Sequence, residues 1–211
     1  LSRHDSTGAD LEIVHAPDVV SSGDDGAKAV RAKPDSSLVV ATKLVAEGRA
    51  SALVSPGNTG ASLAAATLHL RRLPGVIRPA IAVVMPTARG PVTLLDAGAN
   101  AESKPEYLVQ FALMGRLLAR DVLQIPAPTV GLLSIGEEKG KGDARIQRAT
   151  ELIDETDLNF IGNVEGKDLT AQVADVVVCD AVLGNVVIKF FEGLSGLIFD
   201  QLRTEFRSGI R

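Results

Sequence analysis

From Ser36 onward the chain alternates between two patterns. In one, apolar residues recur every three or four positions; in the other, short stretches are apolar throughout. The first pattern marks helices with one buried face, the second marks strands covered on both faces. Ser36 to Glu47 reads as a helix with Leu38, Val39, Leu44 and Val45 on its apolar side. Gly60 to Arg72 reads as an Ala- and Leu-rich helix stopped by Pro74 and Gly75. Pro105 to Gln124 carries Leu108, Phe111, Ala112, Gly115, Leu118, Ala119 and Val122 along one face, with Pro105 suited to the first turn. Asp143 to Thr156 is predicted helical with Asp143 as N-cap, and Asn185 to Ser208 closes the chain as a long helix. Strands are predicted at Ala50 to Ser55, Ala80 to Met85, Val92 to Asp96, Thr129 to Ile135, Phe160 to Val164 and Val176 to Cys179. Residues 87 to 91 join the second and third as a hairpin. Asp10 to His15 is a further candidate strand, and Ser21 to Asp25 a polar loop.

Strands alternating with helices through short loops predict an α/β fold. The expectation is a three-layer, Rossmann-like, mostly parallel sheet with one hairpin, in a single domain over residues 1–211. The closing helix has two apolar faces, one with Val187, Phe190, Leu194, Ile198 and Leu202, another adding Phe191, Phe199 and Phe206. Such a helix needs more than one neighbour, either within the chain or across a dimer contact.

Composition narrows the function classes. Of 211 residues 45% are hydrophobic and 23% charged, which excludes disorder for most of the chain. The net charge of −4 and an aromatic content of 3% argue against a nucleic-acid partner, which needs cations and exposed rings. Cys179 is the single cysteine, so no internal disulfide or thiolate cluster forms, and a reducing, cytoplasmic setting is expected. His4, His15 and His69 are scattered, and no metal site is expected. No apolar run reaches the length of a bilayer span: the longest candidate, Val186 to Phe199, is interrupted by Lys189, Glu192 and Ser195.

The chemistry collects in five polar, glycine-containing segments expected at strand C-termini: Ser55 to Gly60, Asp96 to Asn100, Gly136 to Gly142, Gly162 to Gly166 and Asp180 to Asn185. In a parallel sheet these ends share one edge, where open α/β sheets bind ligands. Loops running into helix N-termini suit an anion, and Asn58, Thr59, Asn100, Lys104, Lys139 and Lys141 place donors where a phosphate could sit. Lys104 stands out because a cation at a helix start opposes the helix dipole. Glu137 and Glu138 read either as a metal or acid–base pair or as a solvated cluster balanced by Lys139 and Lys141. No P-loop, dinucleotide fingerprint or nucleophile elbow is present, so binding and orienting two substrates is the remaining route to catalysis.

These stretches resemble the bacterial phosphate acyltransferase family of phospholipid synthesis, the PlsX family. The matching residues are Val54 to Ala61, Leu95 to Pro105, Val109 to Gly115, Gly131 to Gly142, Phe160 to Asp168, Ala174 to Asp180 and Gly184 to Lys189. The family's opening strand and Asp-Ala-Met-Gly-Gly-Asp motif are absent, and Ala181-Val182-Leu183 stands where the family often has Gly-Phe-Thr. The chain therefore reads as a shortened member. The resemblance implies a fold like the phosphotransacetylases and isopropylmalate-type dehydrogenases. It also implies a reaction in which inorganic phosphate takes a long-chain acyl group from acyl carrier protein, yielding acyl phosphate. No cofactor is implied beyond phosphate as substrate and the carrier's phosphopantetheine. Catalytic roles fall to Lys104 and Asn163, and phosphate or substrate contacts to Asn58, Thr59, Gly60, Asn100, Lys141, Asn185 and Lys189, with Asp180 orienting a neighbour. Implied partners are the carrier protein, a second copy of the chain, and a peripheral membrane contact for handover to a membrane glycerol-3-phosphate acyltransferase. Arg71, Arg72, Arg78, Arg116 and Arg120 are candidates for docking an acidic carrier. Competing readings are a phosphotransacetylase-like enzyme using a coenzyme A thioester and a non-catalytic acyl- or anion-binding module.

Overall fold

The computed structural model describes Gly8 and residues 10–208. They divide into two compact units, split between Leu73 and Pro74. The first unit holds three helices, α1 (Gly26–Ala32), α2 (Ser37–Ala46) and α3 (Thr59–His69). Val30, Leu38, Val39, Ala61 and Ala65 form its core. α1 lies so close to α3 that a Cβ on Gly26 would overlap the backbone of Gly60 and Ala61. α1 was not expected from periodicity, being a single apolar turn and a half, though Asp25 caps it through the Lys28 N–H.

Ala50 to Ser55 and Asp10 to His15 do not form strands. No strand pairs with either among the described residues, and a strand needs a ladder for its N–H and C=O groups. Val54 is 93% exposed, so local apolarity found no sheet to enter.

The second unit runs β1 (Ala82–Pro86), β2 (Pro91–Leu95), α4 (Pro105–Asp121), β3 (Val130–Leu133), α5 (Ala144–Asp154), β4 (Phe160–Val164), α6 (Gly166–Ala171), β5 (Val176–Val178) and α7 (Ala181–Ser208). The sheet order is β1-β2-β5-β3-β4. β1 and β2 form the expected antiparallel hairpin, and every other pairing is parallel.

Two cores flank the sheet, giving the three expected layers. Leu95, Val130, Leu132, Val176 and Val178 point to α4 and α5, where Leu108, Phe111, Ala112, Ala119, Ile146, Ala149 and Ile153 meet them. Leu94, Leu133, Val164, Val177 and Cys179 point the other way, to Leu169 of α6 and to Val187, Ile188 and Phe191 of α7. α4 carries no side-chain N-cap bond at Lys104. The missing cap forgoes about 1 kcal/mol, whereas burying Leu108 and Phe111 completely contributes about 1.5–3 kcal/mol each, so packing rather than capping holds this helix. Gly115 permits the approach: a Cβ there would overlap Val176 Cγ1.

Two differences from expectation stand out in this unit, the start of α7 and the presence of α6. α7 begins at Ala181 because the Asp180 carboxylate accepts from the Val182 and Leu183 N–H groups. β4 spans Phe160–Val164 as expected, so of the Gly162 to Gly166 segment only the part after Val164 lies beyond the strand; Gly162, at φ 92°, accompanies a register shift against β3. α6 was not expected, and a reciprocal capping box between Glu165 and Asp168 sets it.

α7 is 28 residues long, and Ala181–Arg207 is long and apolar enough by length and composition to cross a membrane, with only 6% of the window buried. The expectation that no segment reaches that length is corrected on this count. Lys189, Glu192 and Ser195 interrupt the run without lowering its mean hydropathy below 1.6. Its first turns are packed on the sheet through Val187, Ile188 and Phe191.

Candidate functional site at the carboxyl edge of the sheet

β2, β5, β3 and β4 are parallel, so their carboxyl ends share one edge. α4 leaves β2 toward one face of the sheet and α7 leaves β5 toward the other. Adjacent strands whose connections diverge open a crevice between their ends, the usual ligand position in this fold class. The corresponding position here is the junction of the Asp96–Asn100 loop with the start of α7.

Asp96 organises this loop. Its side chain is fully buried, and five N–H donors end on its carboxylate. Oδ1 accepts from Ile81 N at 3.1 Å, Gly98 N at 3.1 Å and Ala99 N at 2.9 Å. Oδ2 accepts from Asn100 N at 3.1 Å and Asn100 Nδ2 at 2.7 Å. Asn100 Nδ2 also donates to the Pro79 carbonyl at 2.8 Å. The amide of Asn100, expected to face phosphate, is thus committed to bracing the loop. The Leu95–Asp96 peptide is cis.

α7 is pressed against the same loop. A Cβ on Gly184 would overlap the Asp96 carbonyl oxygen, and one on Gly98 would lie 4.0 Å from the Asn185 side chain. Asn185 is exposed over the loop. Lys104 caps α4 beyond the loop; it is exposed and has no ion pair among the described residues. Lys189, one turn along α7 from Asn185, bonds to Glu192 Oε2 at 2.7 Å.

Asn163 ends β4, nearly buried, and its Nδ2 reaches the Glu138 and Lys141 carbonyls at 3.4 and 3.3 Å. It braces the β3–α5 loop, while its Oδ1 and the nearby Ser134 Oγ are buried without a partner. Lys141 is exposed in that loop. Glu137 pairs with Lys167 at 3.0 Å, and Lys167 also meets Glu165 at 2.6 Å. These carboxylates, Glu165 first, raise the Lys167 pKa, and Glu137 is balanced by Lys167 rather than by Lys139, which meets Asp154 at 3.7 Å. Among the described residues no group of three His, Cys, Asp or Glu side chains gathers as metal ligands.

Asn58, Thr59 and Gly60 belong to the first unit. Asn58 Oδ1 caps α3 by accepting from Ala61 N at 2.9 Å, and Nδ2 donates to the Asp24 carbonyl at 2.9 Å. Thr59 and Gly60 form the first turn of α3, both exposed.

Sequence reasoning missed two residues. Arg145 Nη2 bonds both Asp143 at 3.2 Å and Asp180 at 3.0 Å, clasping the N-caps of α5 and α7 across the edge. No spacing along the chain brings residues 35 apart together. Asp96 was visible only as the first residue of a loop. Of the candidate docking arginines, Arg116 pairs with Asp157 and Arg120 with Asp121, while Arg78 lies 6.0 Å from the Tyr107 ring.

Cys179 is completely buried, and its thiol donates to the Asp96 carbonyl at 3.5 Å. Burial raises its pKa, and the charges of Asp180 and Asp96 add to the rise. Native protein is expected to resist iodoacetamide at pH 8 and to react fully once unfolded. Because the folded-state pKa lies above the ordinary value of 9.0, this group's stability contribution is complete below pH 9 and declines as pH rises above it. Mass spectrometry of the alkylated protein and alkaline unfolding curves measure both; rapid native labelling would refute the buried assignment.

Fold and edge together define a three-layer α/β protein whose polar loops gather at the carboxyl edge of a mostly parallel sheet. EutD phosphotransacetylase from Staphylococcus aureus superposes with a TM-score of 0.55 at 20% identity, covering 75% of this chain and 56% of that one, a likeness of fold. The family described as fatty acid synthesis protein matches residues 1–211, and the chain belongs to it. It is similar to the phosphate acyltransferase of Desulforamulus reducens, 48% identical over 95% of this chain and 60% of the relative. That of Desulfitobacterium hafniense is 51% identical over 92% of this chain and 58% of the relative. The chain spans about 60% of the length of the curated relatives it matches.

Proposed function

We propose that the whole protein is a phosphate acyltransferase moving a long-chain acyl group from acyl carrier protein to inorganic phosphate. The single observation that carries this reading is the 51% identity to a protein named phosphate acyltransferase, a match that runs across both units. The site chemistry fits. A phosphate oxygen attacks the thioester carbonyl; the carbon–oxygen bond forms, the carbon–sulfur bond breaks, and the thiolate leaves on the carrier's phosphopantetheine. A thiolate needs little acid assistance, so the demand falls on holding phosphate and stabilising the developing oxyanion. Lys104, at the start of α4 after the Asp96–Asn100 loop, supplies a cation, and Asn185, near Gly98 of that loop, an amide. Asn163 and Lys141 serve the β3–α5 loop, and Asn58, Thr59 and Gly60 the start of α3.

The acyl phosphate would feed phosphatidic acid synthesis through a membrane acyltransferase, which places the protein in the cytoplasm. The α7 stripe of Val186, Phe190, Ile198, Phe199 and Phe206, each about half exposed or more, supports a homodimer contact with a membrane-facing end.

The test is release of free carrier thiol from long-chain acyl carrier protein by the whole protein. Release should require inorganic phosphate and should exceed release from the matching coenzyme A thioester. Preference for coenzyme A would favour a phosphotransacetylase-like enzyme, and phosphate binding without turnover would leave a binding module.

A further inference from the structure

A glycine-containing loop before a helix usually offers its N–H groups to an external anion. The Asp96–Asn100 loop does not have them to offer. The N–H groups of Gly98, Ala99 and Asn100 all end on the Asp96 carboxylate, and Ala97 N is spent on the Ile81 carbonyl at 2.9 Å. The carboxylate enters from the sheet side, where it is fully buried, and Ile81 N and Asn100 Nδ2 complete its shell. A second anion at the same amides would find no donor and would meet a like charge. The opposite, solvent side of the loop is different. Gly98 is exposed there at φ 137°, the Asn185 side chain lies over it, and Lys104 follows without an ion pair among the described residues.

We infer that Asp96 is a positioning residue of the transfer site: it fills the amide nest of residues 98–100 from within, so that phosphate is taken by the outward side chains of Lys104 and Asn185. The inference rests on the phosphate acyltransferase reading for its ligand. Asp96 never touches substrate. It sets the loop against which α7 is packed, and so the position of Asn185 relative to Lys104.

Asp96→Asn preserves size but replaces one acceptor oxygen by an NH₂ group. Whichever oxygen is lost, at least two N–H donors then face a donor. The test titrates isotope-labelled whole protein with inorganic phosphate. The amides of Gly98, Ala99 and Asn100 should keep their shifts and their slow hydrogen exchange, while the Lys104 Nζ and Asn185 Nδ2 signals move. In folded Asp96→Asn either the Asn100 amide or the Gly98 and Ala99 amides should lose that protection, according to which oxygen is replaced, and kcat should fall about 100-fold, the scale of a lost preorganised contact. The phosphate KM should change by less than about threefold, because Lys104 is still present and each threefold step is well under 1 kcal/mol.

If Asp96→Asn fails to fold, the wild-type titration alone decides. Phosphate-induced shifts at residues 98–100, or a folded Asp96→Asn protein with wild-type kcat, would overturn the inference. Failure of the acyltransferase reading is distinct: wild-type protein would show no phosphate-dependent thioester cleavage, while the three amides would still be protected by Asp96.

Discussion

Lys104→Ala is expected to lower phosphate-dependent acyl phosphate formation by about 10²–10³, the range for removing one preorganised donor at a developing charge. Its stability should be unchanged or slightly higher. Lys104 occupies the N-cap of α4, makes no capping bond there, is exposed, and has no ion pair among the described residues. A cation at this end of a helix opposes the dipole by about 0.3–1 kcal/mol, so deleting it removes a penalty rather than a contact. Loss of activity together with retained or raised thermal stability separates a functional cation from a structural one. Lys104→Arg retains the charge and should recover part of the rate, while Lys104→Gln should not. Thiol release and calorimetry on the same preparations measure both quantities. A folded Lys104→Ala protein with wild-type turnover would remove Lys104 from the site.

Legibility in the sequence followed the range of the interaction that fixes each element. α4 was readable because its buried residues, Leu108 through Ala119, recur on one face. Strands β2, β3 and β5 were readable because helices cover both sides of them, which makes them apolar throughout. Ala50 to Ser55 has the same local composition and is not a strand, because pairing is decided by a neighbour that the segment itself does not encode. The start of α7 was misplaced by four residues because its first turn looks like a loop until Asp180 is seen to cap it.

The site divides in the same way. Residue type and loop position marked Lys104, Asn100, Asn163 and Asn185 as polar groups near the carboxyl edge. What each amide does depends on neighbours brought by the fold. Asn100 spends both N–H groups on Asp96 and Pro79, and Asn163 donates to the carbonyls of another loop. Asn185, with nearly the same chemistry, is exposed beside the Asp96–Asn100 loop. Asp96 had no readable role because its donors come partly from Ile81, 15 residues earlier, and from a loop conformation that only the finished sheet enforces.

Gly184→Ala is the second large effect, and it acts on stability and rate together. The added Cβ would overlap the Asp96 carbonyl oxygen and lie 2.9 Å from its carbon and 3.0 Å from Cys179 Sγ. None of these atoms is the end of a flexible side chain. The Asp96 carbonyl is held by the Cys179 thiol, and its carboxylate by five N–H groups. α7 must therefore lift away from β2, at a cost near the upper end of about 1–3 kcal/mol for overpacking. At about 2–4 °C per kcal/mol for a chain of this size, the melting temperature should drop by up to about 12 °C. Asn185, the next residue, would move off Gly98, so kcat should fall even at temperatures where the variant is fully folded. Gly193→Ala and Gly196→Ala on the same helix are the controls. A Cβ at either meets nothing within 4 Å, and replacing a mid-helix glycine by alanine contributes up to about 1 kcal/mol, so both should melt at or above wild type. If Gly184→Ala instead melted with these controls and retained wild-type kcat, the contact between α7 and the Asp96 loop would not be what positions Asn185.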